Sequence, residues 1–169
     1  IAPGRFADIL LVPDLNDFSV EMVISQGKVI SQAGHILIDL PEYHFPDWAK
    51  KSIHIPHPVI PANFIIQTEK SGEVQVNIIG IIENQAPTRR IKSTIQVEDG
   101  QIRADLKRDL AKVALVERHK NSGVIQLGLV QGFGFSRPCA VATTVAHDSH
   151  HLIVVGTDDD CMAKAVNTL

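Results

Sequence analysis

Aromatic residues make up only 5% of this sequence, and it has two cysteines in 169 positions. A core cannot be organised around stacked rings or stapled by a disulfide framework. It has to be aliphatic, built from Ile, Val, Leu and Ala. Cys139 and Cys161 lie 22 positions apart without C-x-x-C spacing and read as two reduced thiols. No apolar run approaches the roughly 20 residues a membrane helix needs. Neither sign of charge dominates: 16 Lys+Arg against 19 Asp+Glu leave a formal net charge of -3. That balance gives no electrostatic reason to expect nucleic acid or an anionic membrane as partner. The opening Ile1-Ala2-Pro3-Gly4-Arg5 lacks an initiator Met and the order of a signal peptide, and reads as the middle of a longer protein.

Several chemical signatures are missing as well. There is no Gly-x-Gly-x-x-Gly, no Walker loop and no Gly-x-Ser-x-Gly elbow. The zinc-deaminase pattern fails because Pro138-Cys139 has no second Cys in place. Phosphoryl transfer, serine hydrolysis and the cytidine-deaminase fold all lose ground.

What is present reads as two unequal pieces joined by a proline-rich passage, α+β in class. In the first piece, residues 1–38, the apolar run Ala7–Val12 closed by Pro13-Asp14 predicts a buried strand and a turn. Val20–Ile24 and Val29-Ile30 flank Gln26-Gly27 as a hairpin would. So few short strands make no independent core. Residues 39–61 carry Pro41, Pro46, Pro56, Pro58 and Pro61, which exclude a long helix or a central strand. This is read as an ordered linker, with Trp48 as its anchor.

In the second piece, residues 62–169, Val74–Ile82 predicts a strand, and a hairpin is expected around Asp99-Gly100. Val113–Val116 predicts another strand, turned at Asn121-Ser122-Gly123, and Ala140–Val145 and Leu152–Val155 add two more. The last segment predicts a helix capped by Thr157 with Asp160 three residues on, and with Met162, Val166 and Leu169 on one face. The chain then stops at or inside that helix, which reads as a cut C-terminus.

The tract His147-Asp148-Ser149-His150-His151 sits between two β-prone runs, where loops tend to hold functional groups. Three imidazoles, a carboxylate and a hydroxyl can bind a metal, shuttle protons or hydrogen-bond a polar heterocycle. The same residue types suit a polar turn that satisfies its own backbone. Glu117-Arg118-His119, at the end of a strand, offers an anion-binding guanidinium and two proton-transfer groups, or simply a strand running into solvent. Asn84-Gln85 and Thr88-Arg89-Arg90 read more readily as loop closure than as a nucleobase contact. His54 and His57, hemmed in by prolines with no carboxylate nearby, read as structural.

Beyond this point the reading rests on resemblance. Ile1–Ile9 resembles the stretch that follows the last barrel strand in amidohydrolases, and Val23–Val29 resembles the next hairpin of their small β-sandwich. Val113–His119, Gly132-Phe133-Gly134, Thr144–His150 and Val154–Thr157 resemble adenine deaminases in order and wording. The sequence departs at His151, where that family commonly has Asn, and at Arg137-Pro138-Cys139, where a Gly-Ala pair is usual.

The resemblance implies part of a β-sandwich followed by an α+β C-terminal domain, with a (β/α)₈ barrel in the full-length protein. It implies hydrolysis of adenine to hypoxanthine and ammonia, in purine salvage, by a cytoplasmic homo-oligomer. A binuclear manganese or iron centre would lie in the missing barrel, with no metal ligand in this chain. His147, Asp148, His150, Glu117, Arg118 and His119 would complete the purine pocket, and the isolated chain would be inactive. The alternative is a structural cap or dimerisation domain of another cyclic-amidine or amide amidohydrolase.

Overall fold

Short β-branched runs separated by Gly turns build four strands in the first part of the chain. The structure, a computed structural model, describes residues 2–169 and divides into two units, one up to Pro46 and one from Asp47. In the first unit β1 (Ile9–Leu11), β2 (Met22–Ser25), β3 (Lys28–Gln32) and β4 (His35–Ile36) form one antiparallel sheet in chain order. Gln26 and Gly27 both take positive φ, 49° and 78°, the geometry that a two-residue hairpin turn requires. None of residues 2–46 is buried. The expectation of a buried strand therefore fails for β1, whose Ile9, Leu10 and Leu11 are 44%, 49% and 45% exposed, because among the described residues of this unit no second layer covers the sheet.

The proline passage forms no element longer than α1 (Asp47–Lys50) and a 3-10 turn at Pro61–Phe64. Trp48 does not anchor it, being 79% exposed. Val59 and Phe64 take that role and are buried in the core of the second unit. A short aliphatic group and a Phe, each next to a backbone group with a fixed partner, fill the space better than an indole on a four-residue helix. Asn167 shows how that partner is provided: its side-chain oxygen accepts from Val59 N at 2.9 Å and its amide donates to Val59 O at 2.7 Å.

The second unit is built on a six-stranded sheet in the order β11-β12-β9-β10-β6-β7. Its strands are β6 (Glu73–Gly80), β7 (Arg89–Gln96), β9 (Leu110–Val116), β10 (Ile125–Gln131), β11 (Ala140–Thr143) and β12 (Leu152–Gly156). All neighbours are antiparallel except β10 and β6. The turn at Asp99-Gly100 forms as expected, but its far strand, β8 (Gln101–Ile102), pairs with β5 (Ile66–Gln67) and not with β7, which is already paired with β6.

Strand alternation sorts the central strand β9 onto two faces. Ala114 and Val116, with Leu152 and Val154 from β12, pack against Met162, Ala163 and Val166 of α2 (Asp159–Thr168). Ala111 meets Val130 and Val155 on the opposite face, where Ile81 and Phe135 cover them. The last helix begins one residue later than the capping pattern suggested. Asp158, not Thr157, is the N-cap, its carboxylate accepting from Cys161 N at 2.8 Å. A charged acceptor suits the positive end of the helix better than a hydroxyl. Leu169 is 52% exposed and leaves the apolar face that Met162 and Val166 occupy. At Gly156 the helix comes so close that a Cβ would lie 2.5 Å from Met162 Cγ and 2.8 Å from Ala140 Cβ.

One charged side chain lies within this apolar face. Lys112 is 4% exposed, and its ammonium donates to Phe64 O at 2.9 Å and to both oxygens of Asp159, at 2.7 and 3.0 Å. The three contacts match its three protons, which is the condition for burying an ammonium at tolerable cost.

Removing one partner leaves a buried charge unpaired, so Asp159→Ala is expected to destabilise the second unit by about 3 kcal/mol. Lys112→Met combined with Asp159→Leu should recover much of that loss, and denaturant melts of wild type, Lys112→Met, Asp159→Leu and the double variant measure the coupling. Asp158→Ala should cost about 1 kcal/mol through the lost cap. The Asp158 carboxyl is held below its ordinary 3.8 mainly by the hydrogen bond from Cys161 N. Its contribution is therefore complete above that value and is lost as the pH falls through the depressed one. Acid melts of wild type and Asp158→Ala should converge below it.

Candidate functional site

The register of the β9–β12 pair assembles the candidate site. Val116 lies opposite Leu152, the last matched pair of that ladder. Counting two residues on from Val116 and two back from Leu152 sets Arg118 opposite His150. One step further sets His119 opposite Ser149. The two tracts singled out in the sequence thus meet at one end of the sheet, where the backbone ladder has stopped and side chains continue the pairing.

Glu117 shapes the first tract. Its carboxylate accepts from the backbone of His119, from Lys120 N at 2.8 Å, from Ser122 N at 3.1 Å and from Ser122 Oγ at 2.8 Å. Partial withdrawal from water pushes this carboxyl up, but the hydrogen bonds together outweigh that and bring it down from 4.5 to about 2. Glu117 is consequently an anion at neutral pH whose two oxygens close the turn at residues 117–122.

Arg118 points inward and is 9% exposed. Its Nε donates to His150 O at 2.6 Å, and its Nη1 donates to Ser52 O at 2.9 Å and Ser52 Oγ at 3.0 Å. His54 N donates to Arg118 O at 2.9 Å, so the passage at residues 52–54 is bound to the same strand end. His119 is exposed, and its Nε2 lies 3.1 Å from Ser149 O. A carbonyl only accepts, so that nitrogen carries a proton. The His119 ring also rests against His151, with centroids 4.9 Å apart, and His151 Nδ1 is buried with no hydrogen-bond partner among the described residues.

The second tract is a tight turn. His150 N donates to Ala146 O at 2.7 Å and Ser149 N to His147 O at 3.1 Å. Asp148 and His150 take positive φ, 73° and 49°, a region that costs a residue with a side chain about 1 kcal/mol or more and persists only where surroundings impose it. The side chains themselves stand free of the core. His147 and Asp148 are more than 90% exposed and pair at 3.0 Å between Nδ1 and Oδ1, while His150 is also exposed, its ring centroid 6.4 Å from that of His147. The result is a turn with a pinned backbone that presents two imidazoles and a carboxylate outward.

His54 joins this cluster through its backbone alone, and the remaining singled-out residues lie elsewhere. Arg90 donates through Nε to Asn77 Oδ1 at 2.8 Å across β6 and β7, and Asn84 sits in a turn at positive φ. His57 lines a small cavity of about 140 Å³ with Pro56, Val59 and Val116. Cys139 and Cys161 are free thiols. Among the described residues no three His, Cys, Asp or Glu side chains come together as metal ligands. The exposed His147–Asp148 pair is too small a donor set for a binuclear centre, which takes several ligands per ion. Sequence reading missed Ser52 and the Lys112–Asp159 pair. Only Lys112 left a signal, as a charged residue inside an otherwise apolar strand.

Comparison with known proteins gives this geometry a family. Residues 85–169 match the adenine deaminase C-terminal domain. Over the whole chain, curated adenine deaminases are 47% identical in Moorella thermoacetica, 44% in Roseobacter denitrificans and 43% in Rhizobium meliloti, there named adenine deaminase 3. The chain spans 28% of the length of each of these relatives. It belongs to the adenine deaminase family, as a C-terminal part of such a protein.

Proposed function

We propose that this chain completes the purine pocket of an adenine deaminase that hydrolyses adenine to hypoxanthine and ammonia. The carrying observation is the turn at residues 146–150, held by its backbone while His147, Asp148 and His150 project into solvent. Side chains on a rigid turn, not engaged by the core, are free to meet a ligand supplied from outside this chain. Water adds at C6 of the purine, and the exocyclic amine leaves as ammonia once it has gained a proton. Imidazoles suit that transfer because they exchange protons near neutral pH. Asp148, bonded to Nδ1 of His147, orients that ring. Glu117, Arg118 and His119 belong to the same pocket edge.

The ions that activate water, manganese or iron as a pair, are proposed to be bound by a barrel outside this chain. The described residues do not form such a centre. The enzyme would act in purine salvage in the cytoplasm, as a homo-oligomer. No helix among the described residues is long and apolar enough to cross a membrane.

A second reading makes the domain a cap or dimerisation surface. Val141 on the edge strand β11 and Val145 next to the turn are 57% and 73% exposed, as residues of a subunit contact would be.

In the full-length enzyme, His147→Ala and His150→Ala are each expected to lower kcat/KM for adenine by roughly 100-fold, the usual weight of a lost proton-transfer group. Steady-state ammonia release measures it. Unchanged kinetics would remove the pocket role, and a shift in oligomeric state on replacing Val141 or Val145 by Asp would favour the second reading. The isolated 169-residue chain is expected to release no ammonia from adenine.

A further inference from the structure

Two consecutive carbonyls of the His147–His150 turn are each held by a side chain from the end of β9. Ser149 O accepts from His119 Nε2 at 3.1 Å, and His150 O accepts from Arg118 Nε at 2.6 Å. These are the pairs that the β9–β12 register sets opposite one another after its backbone hydrogen bonds have ended. The turn has reason to need such a grip, since Asp148 and His150 both lie at positive φ without being glycine. Arg118 is itself held from its far side by Ser52 O and Ser52 Oγ, so the guanidinium bridges two segments that share no strand pairing. Being 9% exposed, it is enclosed, whereas His147 and Asp148 are open to solvent.

We propose that Arg118 and His119 form a clamp on the backbone of this turn and act as positioning residues for the purine pocket, through Ser149 and His150 and not by touching the substrate. This rests on the reading of the turn as a pocket wall. The physical weight lies in placement: a misplacement of about 1 Å in a reacting group can cost roughly 100-fold in rate. Lysine cannot replace Arg118, because a single ammonium point does not reproduce the planar fork that reaches His150 O on one side and Ser52 on the other. The His119 ring, laid against His151, adds a contact that keeps Nε2 aimed at Ser149 O.

The test uses the full-length enzyme with Arg118→Lys and with His119→Phe, which keeps a ring beside His151 and removes the donor. Two readouts are taken together. Hydrogen exchange of a peptide covering residues 145–152 is expected to quicken by roughly tenfold in either variant, as the protected amides of Ser149 and His150 open. The kcat for adenine should fall by roughly tenfold or more with KM changing less, since the groups meeting the substrate remain but are misplaced.

Each variant is then combined with His147→Ala plus His150→Ala. In that background the clamp variants should lose less than about twofold further activity, because the turn they position no longer carries its reacting groups. Unaltered exchange in both variants overturns the clamp. Losses that multiply fully with those of the histidine variants overturn action through the turn and return Arg118 and His119 to direct substrate contact. If His147→Ala and His150→Ala leave adenine kinetics unchanged, the pocket reading fails and the positioning role fails with it. Quickened exchange would still establish the clamp as a structural device.

Discussion

The pairing of β9 with β12 is the constraint on which the candidate site depends. Val116 opposite Leu152 is a local fact of strand register, and a one-residue slip would turn every side chain of one strand to the wrong face. Ala114, Val116, Leu152 and Val154 all face α2, while Ala111 and Val155 pack on the opposite face, so both faces are apolar and burial alone does not choose between registers. Where the ladder ends, the same register delivers Arg118 to His150 and His119 to Ser149. The geometry of the site is thus a by-product of the packing of the sheet against α2.

The unit achieves this with few aromatic side chains. Phe64 is the largest fully buried one, and it enters from the proline passage rather than from the sheet. Aliphatic side chains alone fix register poorly, since one branched residue packs much like another. The buried ammonium of Lys112 adds what they lack. It accepts only an arrangement in which Phe64 O and the first residue of α2 both lie within hydrogen-bonding reach. Asn167, bonded both ways to Val59, repeats the device at the other end of the helix.

Polar groups in the site divide by the same logic. Glu117 and Arg118 are engaged by backbone, the one closing a turn as a strongly stabilised anion, the other joining Ser52 to His150. His147, Asp148 and His150 have almost no protein partners beyond one another. Residues that look equally reactive in a sequence are therefore unequal in the fold, and exposure together with hydrogen-bond occupancy separates them.

Much of this was legible beforehand. Apolar and β-branched runs marked several of the strands, Gln26-Gly27 and Asp99-Gly100 marked their turns, and the proline spacing between residues 39 and 61 excluded long elements there. Those are short-range effects, set by φ preferences and side-chain alternation within a few residues. The α+β class and the tracts worth examining followed from them. The partner of β8, the exposure of Trp48 and the burial of Arg118 did not. Each turns on a competition between segments far apart in the chain, for one sheet edge, one patch of core or one carbonyl. A linear sequence contains both competitors but not the distance between them, so only the folded structure decides.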